Sequence, residues 1–307
     1  MKKLLLGWGI LTLSFLLASC SNDELAAVAA NGEKKEVTLT TRLGSNSRAT
    51  QEQIEMELFY TVYDAHTGAE VMKNTADIAP VSFGEEASVN LTLELDCDKS
   101  YDIAFWAQAK GSQCYDLSDM KAVRLCYEGC IGNDSNRTAY YGNLRGLQAN
   151  THSNVTVTLK SPFALLEVYT TKKDVEAAAV LNVPVNEMLS SIEVSGIASV
   201  FNVLKGEPEG EAVTVSLNPG IIPDGECMFD GKEYRLLTSD YLLPSGSQAV
   251  DVKVALSHKD INKQPLVFTA GRAWLNNGKK YSFYGHFLTS SVSFDVSIDA
   301  SYASDLM

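Results

Sequence analysis

Run after run in this chain places its apolar residues at every second position. Gln53–Asp64 (QIEMELFYTVYD) carries Ile54, Met56, Leu58, Tyr60 and Val62 with polar residues between most of them, and Ala87–Asp96 (ASVNLTLELD) carries Val89, Leu91, Leu93 and Leu95. Successive side chains of a strand point to opposite faces, so period two describes a ribbon with one buried and one wet face. The same reading holds for EVTLTTR (36–42), YDIAFWAQA (101–109), SNVTVTL (153–159), FALLEVYTT (163–171), EAVTVSL (211–217), AVDVKVAL (249–256) and VSFDVSID (292–299).

Between these runs stand Asp224-Gly225, Asp230-Gly231 and Asn277-Gly278, pairs that tolerate the positive φ of tight turns. One helix is expected, Lys173 to Leu181, where alanines follow Asp174. The fold class is therefore mainly β: two tandem antiparallel β-sandwich domains, of transthyretin-like or Greek-key type, in place of a parallel sheet. Pro162 interrupts what would otherwise be one very long strand, which puts an N-terminal sandwich at 36–160 and a C-terminal one at 161–307.

With 38 Asp and Glu against 25 Lys and Arg, the net charge of −13 offers no footprint for phosphate backbones, so nucleic acid is excluded as a partner. Cys97, Cys114, Cys126, Cys130 and Cys227 are an odd set that cannot all pair within one chain. Cys126 and Cys130 (CYEGC) lack a second Cys/His pair at ligand spacing, which leaves disulfides or free thiols rather than a zinc site.

Motifs for an enzyme are missing. The sequence holds no G-x-S-x-G, no P-loop, no H-E-x-x-H and no G-x-G-x-x-G after a strand. His66, His152, His258 and His286 are scattered over turns and strand ends. Asp96, Asp98, Ser100 and Asp102 alternate like the start of a calcium loop, but Tyr101 and Ala107 stand where that loop needs Gly and Glu, so a polar hairpin turn is expected. Neither metal nor cofactor is anticipated, and no catalytic residue is assigned. Trp106 and Trp274 are candidates for stacking on sugar rings. Trp106 follows Phe105 on a strand, so one of the two faces the core and the other faces away from it.

At the N-terminus, Lys2 and Lys3, the apolar run Leu4 to Leu17, and the small residues Ala18 and Ser19 have the layout of an export signal. Leu17-Ala18-Ser19-Cys20 resembles a bacterial lipobox. That resemblance implies a signal peptide at 1–19, lipid (a palmitoyl-type anchor) on Cys20, and a polar tether at 20–35. Its removal leaves 23 Lys and Arg against 38 Asp and Glu, a net charge of −15. Ser21-Asn22-Asp23-Glu24 resembles the acidic segment that sends Bacteroidetes lipoproteins to the outer face of the outer membrane.

A second resemblance covers roughly residues 35–302. EYRLLTSDYLLP (233–244), AVDVKVAL and NNGKKYSFYGHFLTSSVSFDVSID (276–299) resemble the C-terminal domain of fimbrillins, the lipoprotein subunits of Bacteroidales type V pili. Asp240-Tyr241-Leu242-Leu243, Gly285-His286-Phe287-Leu288-Thr289 and Ile298-Asp299 carry the likeness, while Lys279 to Ser282 depart from the family's usual Arg-Thr-Asn. YDIAFWAQA, NDSNRTAYYGN and TLKSPFALLEVYTTKKD resemble the family's N-terminal domain.

The family resemblance implies a fimbrial subunit assembled by donor-strand exchange. An Arg-specific protease would remove the lipidated N-terminus with the first strand, and a C-terminal strand of the next subunit would fill the groove. Here Arg42 and Arg48 flank a Gly-Ser-Asn-Ser segment as candidate processing sites, and Val292, Phe294, Val296 and Ile298 form the candidate donor strand. Terminal strands of any sandwich alternate, so periodicity alone does not establish exchange. Expected partners are other pilin subunits in a homo- or hetero-polymer, the outer membrane through the lipid, and host or bacterial surface ligands. The alternative is a surface lipoprotein that binds glycan or a host ligand without polymerising.

Overall fold

The computed structural model describes residues 33–43, 54–79, 87–260, 263–289 and 294–299. The export signal, Cys20, Arg48 and Val292 lie outside them. The first half contains β1 (Lys34–Leu43), β2 (Met56–Asp64), β3 (Glu70–Ile78), β4 (Ala87–Asp96), β5 (Ser100–Ala109), β6 (Tyr115–Asp116), β7 (Val123–Leu125), β8 (Ala139–Gln148) and β9 (Asn154–Leu159). The second opens with β10 (Ala164–Thr171) and α1 (Lys172–Val180), then β11 (Met188–Ile197), β12 (Val200–Asn202), β13 (Glu207–Glu209), β14 (Val213–Ser216) and β15 (Gly220–Ile221). It closes with β16 (Glu226–Phe229), β17 (Lys232–Leu242), β18 (Val250–His258), β19 (Leu266–Ala273), β20 (Lys280–Gly285) and β21 (Phe294–Asp299).

In the first half, sheet β4-β1-β9 packs on sheet β3-β2-β5-β8. The alternating residues meet between them: Val37 and Leu39 of β1, Leu91, Leu93 and Leu95 of β4, Leu58 and Val62 of β2, Ile103 and Phe105 of β5. In the second half, β16-β17-β10-β20-β21 packs on β14-β11-β18-β19, and Leu166, Val168, Ile192, Val252, Val254, Tyr281 and Phe283 fill the space. The chain is thus mainly β, in sandwiches. The antiparallel expectation has two exceptions, β1 with β9 and β10 with β20, which run parallel. Each pairing returns a late strand of its half to the side of the first, through a crossover long enough to allow it. The halves therefore share a plan in which the opening strand sits between an antiparallel and a parallel neighbour.

A fifth sheet, β13-β12-β7-β6, crosses between the halves. Phe201 of β12 pairs with Val123 of β7, and a separate apolar cluster gathers Trp106, Met120, Val123, Phe163, Leu165, Ala198, Phe201, Tyr241 and Leu243. Phe105 therefore faces its own sandwich core and Trp106 faces the joint, which buries both sides of β5. The Trp106 ring meets Tyr115, Phe163 and Phe201 with centroids 5.2, 6.5 and 6.1 Å away. Polar groups fasten the same joint. Arg137, buried, donates from Nη2 to the Tyr241 carbonyl (3.0 Å) and lies 3.8 Å from Asp240, which accepts from Asn133 N at 2.8 Å. Gly220 lies so close to the Gly132 carbonyl that a Cβ would stand 2.0 Å from it.

Helix α1 begins one residue ahead of its expected start. Thr171 caps it, its hydroxyl accepting from Asp174 N at 3.2 Å, and Asn182 at φ +63 turns the chain out beyond its end.

Candidate functional site

The two segments that strand exchange would use are the first and last strands of the described chain. β1 is hydrogen-bonded on both sides, antiparallel to β4 from Lys34↔Asp96 to Leu43↔Ala87 and parallel to β9 from Thr38↔Asn154 to Leu43↔Leu159. Its inward residues Val37, Leu39, Thr41 and Leu43 are buried because alternation aims them all at one core. Without β1, β4 and β9 would flank an empty strand-wide slot, walled by Leu91, Leu93, Leu95, Val157 and Leu159 and floored by Leu58, Val62, Ile103 and Phe105 of the facing sheet. Arg42 is exposed, yet its backbone lies inside the strand, in register with Ser88 and Thr158. A protease acting there would have to open both ladders, whereas Arg48 lies beyond the last residue paired in them, Leu43.

β21 is the counterpart in reverse. Among the described residues it pairs with β20 alone, from Gly285↔Phe294 to Lys280↔Asp299, as the edge of its sheet. The register sets Val296 opposite Phe283 and Ile298 opposite Tyr281, two core residues. Directly opposite residues share a face. Val296 and Ile298 thus point to the core side, yet they are 37% and 58% exposed at this sheet edge. An open ladder edge bearing exposed β-branched residues is a template for pairing with another strand.

A buried carboxylate fixes where β21 departs. Asp174, in the first turn of α1, accepts from Thr170 Oγ1 (2.6 Å), Leu288 N (2.9 Å) and Thr289 N (3.1 Å), and from the Thr289 hydroxyl. Burial alone would raise its pKa, but these hydrogen bonds from Thr170, Thr289 and Leu288 outweigh it and hold the carboxyl below its ordinary value. The sequence marks Asp174 only as a helix-start residue; the partners 114 and 115 positions later leave no local signal.

The remaining candidates are dispersed. Trp106 is wholly buried and has no face for a sugar; Trp274 is 60% exposed, beside Arg272 and Gln248 at a shallow depression. His66 and His152 are exposed, His258 is half-buried, and His286 shares a 3.1 Å hydrogen bond with Thr171. Asp96 pairs with Lys99 at 3.0 Å, while Asp102 takes Arg145 and the Gly146 N–H, so the alternating acids turn to separate partners. Among the described residues no group of three His, Cys, Asp or Glu is placed to hold a metal ion. No described helix is long and apolar enough to cross a membrane.

Solved structures resemble this chain over most of its length. A candidate adhesin of Bacteroides thetaiotaomicron VPI-5482 is 13% identical, with 88% of this chain and 97% of that one aligned and a TM-score of 0.51. A fimbrial assembly protein of Parabacteroides distasonis ATCC 8503 is 13% identical over 88% and 100% of the two chains, TM-score 0.47. The fimbrial anchor protein Mfa2 of Porphyromonas gingivalis is 12% identical over 86% and 97%, TM-score 0.46. At 13% identity the likeness to the adhesin is one of fold alone. None of the curated proteins matches. One family model, described as a family of unknown function (DUF6562), matches residues 27–307.

Proposed function

The chain belongs to the DUF6562 family, and from that premise we propose that it is a cell-surface lipoprotein that serves as a fimbrial subunit, assembles by protease-triggered strand exchange and contributes to adhesion. The observation that carries this reading is the contrast between a first strand seated in a two-sided slot and a last strand lying uncovered at a sheet edge. In this proposal Cys20 bears the lipid, 20–35 is the tether, and sandwiches at 36–160 and 161–307 supply slot and donor respectively. Arg48 is the better processing site, because Arg42 lies within the β1 ladder. The adhesin whose fold it shares supports a surface role by analogy.

Donor residues Val292, Phe294, Val296 and Ile298 would replace Val37, Leu39, Thr41 and Leu43, exchanging one alternating strand for another. Val296 and Ile298 stand exposed in the monomer, so burying what remains of their surface in a neighbour's slot contributes about 1.5–3 kcal/mol for the two together, besides the ladder bonds. No catalytic role enters this proposal. The exposed Trp274 favours one second reading, a non-polymerising lipoprotein that stacks glycan on that ring.

The test is digestion of the purified mature protein with an Arg-specific protease, followed by an unboiled denaturing gel and N-terminal sequencing. A ladder of multimers whose subunits begin after Arg48 is expected. A clean cut that leaves only monomer, or resistance to cutting, rejects polymerisation and favours the second reading.

A further inference from the structure

Beside the joint between the sandwiches, three cysteines converge. Cys114 immediately precedes β6 and Cys126 immediately follows β7; the Cys126 N–H donates to the Cys114 carbonyl at 2.9 Å, extending that ladder. The chain then folds back through Gly129 at φ +80, with Cys130 N donating to the Tyr127 carbonyl at 3.1 Å. The turn brings Cys130 Sγ to 3.7 Å from Cys114 Sγ, both half-buried in the floor of a depression of about 490 Å³, while Cys126 is exposed at its rim. We propose that Cys114 and Cys130 are a redox pair that closes to a disulfide after export, leaving Cys126 as a thiol.

A disulfide bond is about 2.0 Å long, so the sulfurs need to approach by under about 2 Å, within reach of side-chain rotation. The oxidant is a protein or small-molecule disulfide of the exported compartment, and for that oxidant alone the inference rests on the surface location proposed above. The Cys114 thiolate attacks one sulfur of that disulfide and releases the other as a thiol. Cys130 then loses its proton and attacks the Cys114 sulfur, releasing the second thiol. Two electrons pass from the cysteine pair to the external disulfide, which leaves as two thiols. Burial first, then Cys114, pushes the Cys130 thiol up to about 11. A thiol of high pKa leaves slowly, so the closed bond resists reduction.

The bond would grip the segment that fastens the two sandwiches. The Cys130 carbonyl accepts from Asn218 N at 2.9 Å, Gly132 N donates to the Asn218 carbonyl at 2.8 Å, and Asn133 N reaches Asp240. A bond to Cys114 therefore ties β6 to the loop that docks on the C-terminal half.

The experiment equilibrates purified protein in a mixed glutathione buffer, quenches it with acid, labels thiols with N-ethylmaleimide and digests with trypsin. Gly111–Lys121 and Leu125–Arg137 should emerge as one linked species, joined through Cys130, with a single maleimide on Cys126. The link should persist in Cys126→Ser and vanish in Cys114→Ser. Reduction should lower Tm by about 5 °C in the wild type and not in Cys114→Ser. Maleimide on all three cysteines, a link through Cys126, or an unmoved Tm overturns the proposal. The same mapping on intact cells separates the two readings: a bond formed in the buffer but reduced in cells overturns the exported location and leaves the pair standing.

Discussion

At the scale of single residues, Asp174 has the largest effect for its size. Four donors converge on one buried carboxylate, and hydrogen bonds to charged groups are the strong ones. Asp174→Ala strands those donors, and a loss of about 3 kcal/mol in urea unfolding is expected. Asp174→Asn keeps one acceptor oxygen and should cost less. The pH dependence has a definite sign. A folded-state pKa below the ordinary 3.8 means the carboxylate's contribution is complete above that value and is lost as pH falls through the folded pKa. Wild type should therefore converge on Asp174→Asn in acid and diverge from it toward neutrality; parallel curves would show that the charge contributes nothing.

At the scale of elements, the strands legible in the sequence are those with one wet face, such as β1, β4 and β18, whose burial alternates as the letters do. β5 and β10 break the pattern for a physical reason: Trp106 and Leu165 face the joint while Phe105 and Leu166 face a sandwich core, so both sides are apolar. β6, β7, β12 and β13 are two or three residues long, too short to carry a period, and only tertiary pairing defines them. The candidate donor was visible as alternation, but its exposure was not, because that depends on its place at the edge of the sheet, which only tertiary pairing sets. Exposure makes the donor testable without harming the fold. Ile298→Asp should leave the unfolding free energy within about 0.5 kcal/mol of wild type, yet abolish the multimer ladder after protease treatment. Undiminished polymers from that variant would remove β21 from the assembly.

At the scale of the whole molecule, the two sandwiches are one mechanical body. They share a sheet, an aromatic cluster around Trp106 and the buried Arg137–Asp240 contact, so unfolding should show a single transition by Trp fluorescence and by calorimetry. Trp106→Ala empties the centre of that cluster and should cost about 3–5 kcal/mol, with the transition splitting in two as the halves uncouple. Two transitions in the wild type would mean that the joint is weaker than its contacts. The Asp174 clasp acquires another meaning under load. Tension drawn along β21 would meet the ladder to β20 first. Once that ladder opened, the pull would reach Leu288 and Thr289, and the Asp174 carboxylate would pass it to Thr170 and so to β10, which is held by β17 on one side and β20 on the other. The clasp would then be a second stop, holding a tugged subunit's tail to the centre of its sheet after the edge strand had given way.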